Sequence, residues 1–236
     1  MHWAVSDIHG CLEEYRQLLG CLQLGADDTL YILGDAADRG PAPMAVLQDV
    51  LYRPHTVYIP GNHDYFLRRL GPSYGFTQAE GGRRPSLYER TLCAGWMLDG
   101  GRDTLLQFRS LPVSDRRRIL AALDEAPAFQ QVETAGHSFV LIHKAVPNFS
   151  ARPRFADWGL LDFLHPALPY DRPLLPDGPI IISGHTWTAK IRQDRCSAVF
   201  AGEGHVAIDC GCVFGGCLAA YCLETGEAVY AAARDK

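Results

Sequence analysis

The chain opens on a short apolar run, Trp3 to Ser6, that ends at Asp7 and gives way to Leu12, Tyr15, Leu18, Leu19 and Leu22 at helical spacing. Short apolar runs read as strands, and apolar positions three and four apart read as one face of a helix, so the pattern predicts strand, loop, helix. The unit recurs: Thr29 to Leu33 ends at Gly34-Asp35, and Met44 to Tyr52 continues helically with a proline near its start, where the missing N–H costs nothing. A third copy runs from Thr56 to Ile59 into Pro60-Gly61-Asn62-His63, with a helix expected over Tyr65 to Leu70. Three such units imply right-handed crossovers and a largely parallel sheet, with the loops gathered at the carboxyl ends of the strands.

Beyond them, residues 71 to 85 are rich in glycine, proline and arginine and read as an exposed loop. Helices are expected over Leu87 to Leu98 and Ser114 to Leu123, the second with Ser114 as its N-cap and Arg116, Arg117 and Arg118 as a solvated face. Strand patterns follow at Ser138 to Ile142, Pro179 to Ser183, Val206 to Asp209, Gly216 to Cys222 and Ala228 to Ala232, the last two joined by the hairpin turn Glu224-Thr225-Gly226-Glu227. The proline-rich stretch from 147 to 178 is a long irregular excursion, and such loops in compact domains are often functional, so it is expected to wall a site.

Composition narrows the class. The 236 residues are 47% hydrophobic and 21% charged, a globular balance that one domain over residues 1–236 accommodates. A net charge of -5 leaves no basic excess for nucleic acid. The longest uncharged stretch, Cys210 to Leu223, falls short of the ~20 residues a membrane span needs, and the first residues show no secretory pattern. A cytoplasmic protein is expected, with its eight cysteines as reduced, mostly buried thiols. Cys210, Cys212, Cys217 and Cys222 match none of the paired zinc spacings, and the alternation around them argues for strand positions.

Five loops, each following an apolar run, carry metal-competent side chains: Asp7-x-His9-Gly10, Gly34-Asp35-x-x-Asp38-Arg39-Gly40, Gly61-Asn62-His63-Asp64, His143, and Gly184-His185-Thr186. Singly each is an ordinary capped loop; together they obey one placement rule. Residues i and i+2 of an extended segment project to one side, so Asp7 and His9 reach a common point. Aspartate, histidine and one amide without thiolate suit borderline divalent ions such as manganese, iron(II) or zinc.

This ordered set, closed by Ile208-Asp209-x-Gly211 and Phe214-Gly215-Gly216, resembles the calcineurin-like metallophosphoesterases, and within them the phosphoprotein phosphatase branch. The resemblance spans almost the whole chain and implies an α/β fold, a four-layer α/β/β/α sandwich of two mixed β-sheets. It also implies two divalent metal ions, manganese first and iron or zinc as alternatives. One would be held by Asp7, His9 and Asp35, the other by Asp35, Asn62, His143 and His185. A hydroxide shared by the two ions would attack phosphorus, His63 would protonate the leaving group with Asp38 orienting its ring, and Arg39 would bind phosphate.

Several positions depart from the branch. Pro60 stands where arginine is usual before Gly-Asn-His, Asp64 where glutamate follows it, and Leu160 where an arginine is expected after Trp158, leaving Arg152 or Arg154 as substitutes. Lys144 replaces a small residue and Trp187 a proline. Gly40-Pro41, Gly-Asn-His-Asp and Trp187 after Gly184-His185 resemble instead the symmetrical diadenosine tetraphosphatases, whereas Asp38 favours the phosphatases. The first expectation is therefore a phosphomonoesterase, a serine/threonine protein phosphatase acting on a phosphorylated protein or small molecule. The alternative is a symmetrical diadenosine tetraphosphate hydrolase. A catalytically silent metal-binding partner protein and a thiol protein built on the C-terminal cysteines are the readings from other classes. No partner nucleic acid or membrane is expected, and no motif specifies an oligomeric state.

Overall fold

The computed structural model describes residues 1–144, 170 and 178–233. Two five-stranded mixed sheets form its centre. The first contains β1 (His2–Val5), β2 (Thr29–Ile32), β3 (Thr56–Tyr58), β9 (Cys217–Cys222) and β10 (Ala228–Ala232), in the order β10-β9-β1-β2-β3. Strands β1, β2 and β3 are parallel, as the three repeated units require, while β9 runs antiparallel to β1 with Trp3 opposite Cys222. The second contains β4 (Gln130–Thr134), β5 (His137–Ile142), β6 (Ile180–Ser183), β7 (Phe200–Gly202) and β8 (His205–Ala207), in the order β4-β5-β6-β8-β7. Here β5, β6 and β8 are parallel and the edge strands antiparallel.

Side-chain alternation along each strand separates two cores. Trp3, Val5, Leu30 and Ile32 face the helices α1 (Leu12–Leu22), α2 (Pro43–Tyr52), α3 (Asn62–Tyr74), α4 (Leu87–Leu98), α5 (Gly101–Ser110) and α6 (Val113–Glu125). Their neighbours Ala4, Tyr31 and Leu33 turn the other way and meet Phe139, Leu141, Ile182 and Val206 in the layer between the sheets. Each of these six helices feeds the first core, through Tyr15, Leu47, Leu67, Trp96, Phe108 and Ile119 among others. Burying side chains of this size contributes ~1.5–3 kcal/mol each. The outer layer expected over the second sheet lies outside the described residues, as does the 147–178 excursion apart from Tyr170 and Gly178. Among the described residues no helix is long and apolar enough to cross a membrane.

Several expectations are corrected. The third helix starts at Asn62, not Tyr65, and runs through Gly71-Pro72 to Tyr74, so the first part of the expected 71–85 loop is helical. Gly71 faces the Leu120 side chain, where a Cβ would be crowded, so the residue that reads as a breaker is what lets α3 approach α6. Helix α5 went unforeseen because Gly100-Gly101 interrupts the periodicity; Gly100 (φ +97) makes the turn between α4 and α5, and Gly101 packs on the Trp96 indole. The N-cap of α6 is Pro112, which places Ser114 in the first turn. Arg116 is not solvated: it is buried, lies 4.9 Å over the Phe76 ring and binds Glu80 at 2.7 Å and the Gly75 carbonyl. Strands β4 and β7 were unforeseen, and the predicted Val206 to Asp209 strand ends at Ala207, leaving Asp209 in a loop. The Cys210–Cys222 group is likewise split: Cys212 opens a single 3-10 turn, Cys212–Phe214, and Cys217 and Cys222 bound β9.

Candidate metal centre

Among the described residues, each of the six parallel strands delivers a side chain to one cleft. Asp7 follows β1, Asp35 follows β2, Asn62 follows β3, His143 follows β5, His185 follows β6 and Asp209 follows β8. Left-handed backbone concentrates here: of ten non-glycine residues with positive φ among the described residues, six are Asp7, His9, Asp35, Asp38, Arg39 and His185. Such positions cost on the order of 1–3 kcal/mol each and persist only where surrounding bonds over-determine them. The first two loops supply those bonds by lying along each other, with Asp7 N donating to Gly34 O (3.1 Å), His9 N to Asp35 O (2.8 Å) and Gly10 N to Ala36 O (2.9 Å). Glycine is required at 61 and 184, where a Cβ would collide with the carboxylates of Asp35 and Asp7.

Asp35 stands at the middle. Its Oδ2 lies 3.4 Å from His143 Nε2, 3.7 Å from His9 Nε2 and 4.0 Å from His63 Nε2, and its Oδ1 accepts from His63 N at 2.9 Å. His143 Nδ1 donates to Leu33 O (2.7 Å) and His9 Nδ1 to Ala37 O (2.9 Å), which orients both rings so that each Nε2 faces the cleft. Asn62 Oδ1 is 3.1 Å from His143 Nε2, and the His143 and His185 rings are 5.3 Å apart. Asp7 spends one oxygen on His185 N (2.8 Å) and keeps the other 4.0 Å from His9 Nε2. Potential ligand atoms of His9, Asp35 and His63 lie within 4.8 Å of one another, as do those of Asp35, His143 and His185, with Asp7 and Asn62 at the edges of these groups.

Three buried carboxylates, Asp7, Asp35 and Asp209, share this space. Burial and the neighbouring Asp209 push Asp7 well above the usual range, and burial with Asp35 pushes Asp209 up to about 6. Burial works against charge on Asp35 as well, but His143 and His63 hold it well below the usual range. Burial lowers His9 to about 3 and, with His143, His185 to about 3, so both are neutral bases. Burial opposes charge on His143 too, yet Asp35 outweighs it and raises that imidazole to about 10. Crowded carboxylates beside imidazole lone pairs are the donor set of hard-to-borderline divalent cations, and the residues present fit a pair of them.

Beside this cluster His63 Nδ1 donates to Asp38 Oδ2 at 2.7 Å, and Trp96 Nε1 donates to the same oxygen at 2.7 Å. Asp38 is fully buried and its backbone N–H donates to Thr104 Oγ1 (3.0 Å), so the ring's orienter is itself held from α4 and α5. Burial disfavours the imidazolium, but Asp35 and Asp38 together raise the His63 pKa. Arg39 donates from Nη2 to Asp99 Oδ1 (2.9 Å) and from Nη1 to His9 Nε2 (2.8 Å). Asp99 also faces His63 Nε2 at 3.5 Å.

Sequence reasoning did not include Asp64, Trp96, Asp99 or Asp209 among the site residues. Asp64 accepts from Asp35 N (2.7 Å), Gly61 N (2.8 Å) and Ala37 N (3.3 Å), clamping the second loop to the third; its place directly after Asn62-His63 was the available signal. Trp96 and Asp99 lie in a helix and its cap, where periodicity carries no hint of the cleft. Arg152, Arg154 and Leu160 lie outside the described residues, and Lys144 is half-buried.

Residues 3–188 match the model of the calcineurin-like phosphoesterase family. A protein of Acidovorax ebreus named "Bis(5'-nucleosyl)-tetraphosphatase, symmetrical" is 32% identical over 157 residues, covering 65% of this chain and 47% of that protein. One of the same name from Neisseria gonorrhoeae is 38% identical over 76 residues, 31% of this chain and 28% of its own length. The chain's match to these relatives covers half of their length or less. Among solved structures, a putative diadenosine tetraphosphatase superposes with a TM-score of 0.63 at 19% identity, covering 100% of this chain and 94% of the other. A protein serine/threonine phosphatase of Saccharomyces cerevisiae gives 0.58 at 12% identity, covering 100% and 80%. At these identities the superpositions speak to the fold alone. With the family model matched across most of its length and the loops arranged as described, the chain belongs to the calcineurin-like phosphoesterases.

Proposed function

We propose that this protein is a dinuclear metal-dependent hydrolase that cleaves dinucleoside tetraphosphates symmetrically, adding water across the central anhydride of diadenosine tetraphosphate to release two ADP. The observation that carries the substrate is the name shared by its curated relatives, together with Asp64, Trp187 and the missing arginine at Pro60, which part this chain from the phosphatase pattern. Asp38, which favours phosphomonoesters in the sequence, has a role that serves either substrate, since it orients His63.

Asp7, His9 and Asp35 would hold one divalent ion and Asp35, Asn62, His143 and His185 the second, with Asp35 common to both. Bound there, the ions supply Lewis acidity toward phosphoryl oxygens and lower the pKa of attacking water. Manganese, iron(II) and zinc all suit the ligands, and manganese is the first choice. The Nη1 of Arg39 donates to His9 Nε2, the nitrogen that would hold an ion, and a guanidinium turned from that nitrogen would bind a phosphoryl oxygen. With Nδ1–H committed to Asp38, His63 presents its mobile proton from Nε2 to the departing oxygen. Asn62, being neutral, adds no further negative charge beside an anionic substrate.

The test is hydrolysis by metal-stripped protein with and without Mn²⁺, offering diadenosine tetraphosphate and a phosphoserine peptide side by side. Manganese-dependent ADP as sole product is expected. AMP with ATP would sink symmetrical cleavage, and phosphate from the peptide alone would return the reading to a protein phosphatase.

A further inference from the structure

Outside the cleft, Cys11, Glu14 and Cys212 bring two sulfurs and a carboxylate oxygen within 4.8 Å of one another. Cys11 stands two residues beyond His9 at the start of α1, Glu14 is one turn along the same helix face, and Cys212 opens the 3-10 turn after Asp209-Cys210-Gly211. Both cysteines are buried and Glu14 is half-buried. A cavity of about 310 Å³ opens beside the three, lined also by Pro41, Val213 and Arg39. Within the cysteine-rich segment near the C-terminus Cys210 pairs with Cys217, whereas Cys212 leaves the group and meets a thiol from the other end of the chain.

We propose that Cys11, Cys212 and Glu14 form a third metal site, distinct from the dinuclear centre, for a single thiophilic divalent cation of the zinc class with water completing a tetrahedron. Zinc–sulfur bonds of ~2.3 Å and zinc–oxygen bonds of ~2.0–2.2 Å place tetrahedral sulfurs ~3.8 Å apart, so closure by about 1 Å or less suffices. As the two metal–sulfur bonds form, the two thiol protons pass to solvent; two thiolates and a carboxylate then leave one net negative charge. Arg39 lines the same cavity and brings a positive charge to the neighbourhood of that site. Thiolate donors separate this site from the nitrogen and oxygen set of the cleft, so the two select different ions. The bound ion would staple the loop carrying Asp7 and His9 to the segment carrying Asp209.

Cobalt(II) is the probe. Protein loaded with Mn²⁺ and kept reduced is titrated with Co²⁺, and a thiolate-to-cobalt charge-transfer band is expected to saturate at one equivalent. Cobalt that displaces manganese from the cleft meets nitrogen and oxygen and adds nothing to that band. Cys11→Ser and Cys212→Ser should lose most of the band, while Cys210→Ser and Cys217→Ser should keep it. Glu14→Gln, a change on a half-buried helix position that spares the core, should retain the band and weaken cobalt binding about tenfold or more. A missing band in the parent protein, a band that survives Cys212→Ser, or unchanged affinity in Glu14→Gln overturns the proposal, whatever the substrate turns out to be.

Discussion

Glu89 and Asp35 are both buried carboxylates held below their ordinary range, but the two regions around them are built differently. On the helical flank Glu89 closes a capping box with Ser86, accepting from its N–H (2.9 Å) and hydroxyl (3.2 Å), and binds Arg69 (2.8 Å) and Arg83. The Arg83 hydrogen bond first, then the Ser86 N–H, bring Glu89 to about 2. The chain satisfies this charge by itself. In the cleft Asp35 accepts from His63 N and faces three imidazole nitrogens at 3.4–4.0 Å, with the carboxylates of Asp7 and Asp209 nearby. Its backbone is left-handed, whereas the α4 start is an ordinary helix terminus. A buried charge saturated by its own chain reads as structure; buried charges that converge unsaturated, on strained loops, read as a place for an ion.

The contrast is open to breakage. The largest effect is expected from Asp35→Asn, which should retain the fold by circular dichroism, lose metal, and lower kcat/KM by about 10³-fold or more, because ion binding is worth several kcal/mol to the transition state. Near-normal turnover would undo the cleft assignment. His63→Asn should keep its metal content and slow esters with poor leaving groups by ~10²–10⁴, with a smaller loss on the dinucleotide, whose ADP leaving group needs less help from an acid. Asp38→Asn should move the alkaline limb of that activity to lower pH, since Asp38 helps hold the His63 pKa up.

On the flank, Glu89→Ala should lower stability by about 2–3 kcal/mol in denaturant titrations while leaving kcat unchanged; the cost stays below that of a fully buried pair because Arg69 and Arg83 can turn to water. Loss of turnover without loss of stability would merge the two regions. A pH effect of similar size, confined to acid, is expected at a third buried group. His205 bonds Ser183 Oγ (2.8 Å) beneath Tyr170, and burial lowers its pKa to about 4. The unfolded chain binds that proton first, so this part of the stability is present above about pH 6.5 and falls as pH drops toward 4, by up to about 3 kcal/mol. His205→Gln should flatten the slope of the denaturation midpoint against pH in that window.

The parts of the molecule legible in the sequence are those with local causes. The three opening strand-loop-helix units, the hairpin at Thr225-Gly226 and the placement of Asp7, His9, Asp35, Asn62, His143 and His185 just after apolar runs all follow from periodicity over a few residues, and the structure gathers these side chains in one cleft. The misses share a different cause. Gly71 and Gly100-Gly101 read as breakers because glycine lowers helix propensity, yet each is there so that a side chain of another element, Leu120, Arg39 or Trp96, can approach.

By itself, then, the sequence determined the three opening strand-loop-helix units, the parallel core of the first sheet and which residues arrive at strand ends. Only the tertiary structure decided that Trp96 anchors Asp38, that Asp64 ties two loops together, that Arg116 is buried against Glu80, and that Cys212 meets Cys11 rather than its own neighbours. The reason is physical: backbone periodicity records which face of an element is apolar, whereas the partner of a buried polar group is set by packing between segments far apart in the chain.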